Sequence, residues 1–103
     1  MFINLNKENN IVEYIEKNIT LFDSFKHVYL FGSILKINTA PDDIDILLIY
    51  SGDSSEIIYE LNFIRPILET ISRMSIDLTV LSVQEEKDTK FLKRISPQYL
   101  KLK

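Results

Sequence analysis

Apolar residues recur at helical intervals near the start of the chain. Ile11, Val12, Ile15, Ile19 and Phe22 fall on one side and Glu13, Glu16 and Lys17 on the other, which predicts an amphipathic helix within residues 6–23. The period then shortens. HVYLF, residues 27–31, is aromatic and β-branched and stops at Gly32, the pattern of a strand that feeds a tight turn, and a short helix is expected over residues 33–37. Asn38, Thr39, Ala40, Pro41 and Asp42 are turn chemistry. DIDILLIY, residues 43–50, is a strand whose side chains are apolar on both faces beyond Asp45, so it belongs in the centre of a sheet.

A break at Ser51, Gly52 and Asp53 follows, with Asp53 and Glu56 spaced as a capping box. The next helix carries a core stripe of Ile57, Leu61, Ile64, Leu68 and Ile71, and Pro66 within it predicts a kink or a division. Residues 75–81 form a third strand. Ser82 and Glu85 make a second capping-box pattern, opening a last helix that runs to about Ile95 before Pro97. The order α-β-α-β-α-β-α predicts an α/β (α+β) fold, a small mixed sheet of about three strands with flanking helices. Residues 1–103 read as one domain, with 96–103 a basic C-terminal tail.

Composition narrows the possibilities. A chain of 103 residues that is 46% hydrophobic has enough apolar material for one core and is unlike a disordered segment; oligomerisation fits a domain this small. Without cysteine there is neither a disulfide nor a thiolate metal site, so any metal rests on oxygen ligands or on His27, which has no second histidine to pair with and reads as structural. MFINLNKENN does not resemble a secretory leader, and no apolar run approaches the roughly 20 residues of a membrane span, so a cytoplasmic chain without membrane contact is expected. The net charge of −3 offers little general attraction for nucleic acid. Positive charge gathers late, at Lys87, Lys90, Lys93, Arg94, Lys101 and Lys103, either as a solvated helix face and tail or as a contact for an anion or a partner. Arg65 and Arg73 read as surface charges, and Tyr99 as the tyrosine whose hydroxyl is expected to reach solvent.

The acids are the unusual feature. Side chains alternate along a strand, so Asp43 and Asp45 share a face about 7 Å apart along the chain. Asp77 interrupts the otherwise apolar third strand, where aspartate is disfavoured. If the second and third strands are neighbours, three carboxylates converge and need protons, cationic partners or a metal, and hard oxygen ligands favour magnesium or manganese. Gly32 and Ser33 stand where a strand turns towards a short helix, a place where backbone N–H groups can receive a phosphate.

In this combination the chain resembles the minimal nucleotidyltransferase (MNT) group of the DNA polymerase beta superfamily. "FGS" at Phe31 to Ser33, a gap of nine residues, "DID" at Asp43 to Asp45 and "IDL" at Ile76 to Leu78 carry the resemblance, which extends over residues 28–82. Many members have Arg-Gly shortly after Gly-Ser, where this chain has Lys36 and Ile37. The resemblance implies phosphoryl transfer with two magnesium or manganese ions on Asp43, Asp45 and Asp77, with Asp77 also serving as general base. It further implies an NTP, ATP above all, bound by Gly32, Ser33 and Lys36. MNT proteins are often antitoxins of HEPN ribonuclease toxins, so it implies transfer of NMP, chiefly AMP, to a hydroxyl of such a toxin; an RNA end is another acceptor of the family. Two further readings stay open: a non-catalytic module that neutralises its partner by occlusion, suggested by the missing Arg-Gly, and a subunit of a small-molecule nucleotidyltransferase.

Overall fold

Strand β2, Asp43–Tyr50, lies inside a four-stranded sheet of order β3-β2-β1-β4, as its two-sided apolar pattern requires. In the computed structural model, which describes residues 11–35, 43–52 and 54–103, β1 is His27–Phe31, β3 is Ser75–Ser82 and β4 is Tyr99–Lys101. β1 runs antiparallel to both β2 and β4, and β2 runs parallel to β3. A parallel neighbour needs a crossover connection, and helix α2, Ser54–Ser72, is that connection.

One face of the sheet presents Val28, Leu30, Ile44, Ile46, Leu48 and Ile76 to the main core. Helix α1, residues 11–17, contributes Ile11 and Ile15, and α2 contributes Ile57, Ile64 and Leu68. The other face is smaller: Tyr29, Leu47 and Ile49 pack with Leu81, Val83, Phe91 and Leu92, the last three from helices α3, Val83–Thr89, and α4, Phe91–Ile95. Ile44, Ile46, Leu47 and Leu48 are fully buried in β2, and each withdraws apolar surface worth about 1.5–3 kcal/mol. That burial fixes β2 firmly, including the acids at its start.

Several expected boundaries shift. The first helix gives way at Asn18, whose backbone N–H and side-chain amide both donate to the Tyr14 carbonyl at 3.0 Å, and the chain continues as a 3-10 turn, Ile19–Phe22. The helix expected after Gly32 is also a 3-10 turn, Gly32–Leu35. Pro66 does not divide α2; both it and Asn62, whose carbonyl loses its partner, are exposed, so water can satisfy the freed group. The last helix is broken into α3 and α4 by Lys90 in a left-handed conformation, φ 53°. The Ser82–Glu85 capping box forms in both directions, at 2.8 and 3.0 Å. The Asp53 capping box, like Lys36 and residues 38–42, lies outside the described residues.

The sheet has a fourth strand where three were expected. β4 falls within the stretch read as a basic tail, and its three residues are too few to show a strand period. Its register pairs Tyr29 with Lys101, Leu30 with Leu100 and Phe31 with Tyr99. Lys103 extends the anchorage, its ammonium donating at 2.7 Å each to the Phe25 carbonyl and to the Phe22 carbonyl, which also accepts the Phe25 N–H. His27 is half-buried, with Nδ1 3.3 Å from the Lys103 carbonyl, a structural setting. Among the described residues no helix is long and apolar enough to cross a membrane.

Candidate active site

Because side chains alternate along β2, Asp43 and Asp45 continue the row of Leu47 and Ile49 on the smaller-core face of the sheet. The parallel register then sets Asp77 of β3 directly beside Asp45. One carboxylate oxygen from each of Asp43, Asp45 and Asp77 lies within 4.8 Å of the other two. Asp43 and Asp45 are half-buried and Asp77 is exposed. The three acids that the sequence separates by a 19-residue helix are thus one cluster.

On its other side Asp45 faces Phe31 of β1, whose ring meets Phe91 edge-on at 5.5 Å. Burial, followed by the charges of Asp43 and Asp77 and a hydrogen bond with Asp77, pushes the Asp45 pKa up from its ordinary 3.8 to about 6. Among the described residues no lysine or arginine forms an ion pair with the three acids.

The turn after β1 closes over this cluster. Gly32 has φ +84°, and a Cβ there would overlap Oδ2 of Asp45. Glycine is therefore required twice, by its left-handed backbone and by its contact with the carboxylate. Ile34, buried at 2% exposure, holds the turn in the main core, and Ser33 beside it is half-buried. The structure thus brings together Gly32, Asp43, Asp45 and Asp77, with Ser33 next in the same turn. Lys36 is outside the described residues.

The cluster suits a divalent cation. Its donors are all hard carboxylate oxygens, the ligand class of magnesium and manganese, and one from each acid lies within 4.8 Å of the others. A cation would also offset the repulsion from Asp43 and Asp77 that adds to burial in raising Asp45. A hollow of about 440 Å³ lies along α2, lined by Ser55, Glu56, Tyr59 and Glu60, and includes none of the three acids.

Two residues beside the cluster were not singled out for it by sequence reasoning. Arg65, read as a surface charge, donates from Nη1 to the Ile76 carbonyl at 3.3 Å, and Glu69 accepts from the Ile76 N–H at 3.2 Å. Their spacing of four residues places both on one face of α2, but nothing in that spacing names a strand as their target.

Neither a protein-family model nor a curated protein matches the sequence. Solved structures do match the fold. A crystal structure from Sulfolobus solfataricus, described as that of a candidate nucleotidyltransferase, superposes with a TM-score of 0.53 at 20% identity, covering 95% of this chain and 84% of that one. A chain of the MntA-HpeT toxin-antitoxin, in a mutant with two aspartates replaced by glutamate, superposes with a TM-score of 0.55 at 19% identity, covering 93% of this chain and 72% of that one. The fold is that of the nucleotidyltransferases.

Proposed function

We propose that this chain is an MNT-type nucleotidyltransferase antitoxin that moves an NMP, chiefly AMP, from an NTP to a hydroxyl of a partner toxin. The observation that carries the proposal is the convergence of Asp43, Asp45 and Asp77 within 4.8 Å beneath the Gly32 turn. The likeness to a toxin-antitoxin chain supports the biological setting, and a HEPN-type ribonuclease is the partner this reading names.

In the proposed reaction the acceptor oxygen forms a bond to the α-phosphorus of the NTP as the bond to the β-phosphate oxygen breaks, and pyrophosphate leaves. Two divalent ions, magnesium or manganese, held by Asp43, Asp45 and Asp77, supply charge stabilisation at the α-phosphate and the leaving group when bound. Gly32 lets the backbone approach the triphosphate without a side chain in the way, and Ser33 and Lys36 bind its outer oxygens. Asp77, the exposed acid, is the one that an incoming hydroxyl can reach, and it takes the acceptor proton.

A direct test combines the purified chain and its co-purified partner with each of the four α-labelled NTPs and magnesium. Label appearing on the partner, and lost with Asp43→Asn plus Asp45→Asn, is the expected result; no transfer from any nucleotide overturns the proposal. A second reading, neutralisation by occlusion alone, draws on the edge position of β4, which leaves Tyr99 and Leu100 exposed at 36% and 39%. Under that reading the double Asn variant still neutralises its partner.

A further inference from the structure

Among the described residues β3 is an edge strand, paired only with β2, so every second residue turns its N–H and C=O away from the sheet. At Ile76 both outward groups are taken by α2: the Glu69 carboxylate accepts the N–H at 3.2 Å and the Arg65 guanidinium donates to the carbonyl at 3.3 Å. An acid meets the donor and a base meets the acceptor, so both bonds are charge-assisted and stronger than those of a neutral strand. Two side chains one helical turn apart thus do for one residue what a fifth strand would do.

The clasped residue immediately precedes Asp77. Ile76 is also held from below, its side chain 3% exposed in the main core. Asp45 lies between Phe31 of β1 and Asp77 of β3 and, like Asp43, is half-buried, whereas Asp77 is exposed and has a strand partner on one side among the described residues. Of the three acids it is the one whose backbone most needs outside support. We propose that Arg65 and Glu69 are positioning residues that hold the Asp77 carboxylate against Asp45 and so complete the cation site. The inference rests on the metal-dependent reading above and extends it to residues that touch neither metal nor nucleotide. Protection of a bare edge is a purely structural alternative, and the two differ in what a variant loses.

The test is direct Mn2+ binding, followed by the free-Mn2+ paramagnetic resonance signal, on wild-type, Arg65→Ala, Arg65→Lys, Glu69→Ala and Glu69→Gln chains, all well below their unfolding temperatures. Arg65 is exposed and its removal opens no core cavity, so Arg65→Ala remains informative should Glu69→Ala fail to fold. Truncation of either side chain, in Arg65→Ala or Glu69→Ala, is expected to weaken Mn2+ binding by about tenfold, as for other residues that orient metal ligands, and Arg65→Lys, which keeps a charged donor, should lose less. Glu69→Gln, which keeps an acceptor oxygen, should recover most of it, and exchange of the Ile76 amide should quicken in the alanine variants. Unchanged Mn2+ affinity in variants with lowered thermal stability overturns the inference and leaves the clasp as edge protection. A wild-type chain that binds no Mn2+ overturns the metal reading and this inference with it.

Discussion

Asp45 and Asp77 stand side by side in the register of the parallel β2–β3 pair, and Asp43 completes a cluster within 4.8 Å. Two carboxylates adjacent on neighbouring strands repel one another. The fold therefore holds an unfavourable arrangement that a cation would relieve, and the stability of the chain and its affinity for metal should oppose each other at these positions.

Asp45→Asn separates the two effects. It removes one of three like charges while keeping the size of the side chain, so the metal-free variant should melt higher than wild type at neutral pH, by on the order of a few degrees. Added Mg2+ or Mn2+ should raise the melting temperature of wild type, by an amount corresponding to about 2.7 kcal/mol at a hundredfold excess over Kd, and should leave the variant nearly unmoved. Thermal melts with EDTA and with each metal test both halves; a metal-free variant less stable than wild type would show that repulsion does not govern the cluster.

The same carboxylate sets a pH dependence whose sign is opposite to that of a salt-bridged acid. Asp45 has a pKa raised from 3.8 to about 6. Between these values the folded chain holds a proton that the unfolded chain has released, so ionisation works against the folded state. Its contribution to stability is therefore greatest at low pH and is lost as pH rises through about 6. Urea unfolding in EDTA across this window should show the advantage of Asp45→Asn over wild type growing as pH rises. A difference independent of pH would refute the assignment.

Gly32 tests the turn above the cluster. Alanine there has to adopt φ +84° and to share space with Oδ2 of Asp45. The backbone term alone costs about 1–3 kcal/mol, and displacement of the carboxylate should weaken Mn2+ binding as well. Gly52, with open space where a methyl group would stand, is the matched control: Gly52→Ala should change neither property measurably. Equal effects at both glycines would remove the argument for a close approach at Gly32.

How much of this was legible in the chain depends on the range of the interaction. The β1, β2 and β3 segments, the Ser82–Glu85 cap and the candidate pairing of Asp43 with Asp45 follow from neighbours a few residues apart, and they emerge in place. That Asp77 joins them requires the parallel register of β3 on β2, which alternation makes plausible but does not fix. The clasp of Arg65 and Glu69 on Ile76 was invisible because helix spacing reveals which side chains are neighbours and not what they reach. β4 was missed for a related reason: Tyr99, Leu100 and Lys101 become a strand through pairing with β1, while their lysine-rich context reads as a tail.

Ser82 provides a final test that separates folding from site assembly. It closes β3 opposite Tyr50, at the far end of the β2–β3 ladder from the Asp43–Ser75 pair, and its hydroxyl accepts the Glu85 N–H at 3.0 Å. Ser82→Ala removes an N-cap from α3 and should cost about 1 kcal/mol. Because the acids lie at the opposite end of the strand, Mn2+ affinity should remain at the wild-type value. The contrast with Arg65→Ala is the informative part: both variants weaken a support of β3, but only the one beside Ile76 should disturb the cation site. Unfolding curves paired with Mn2+ titrations of the two variants decide this, and equal losses of affinity would mean that the site responds to the stability of β3 as a whole.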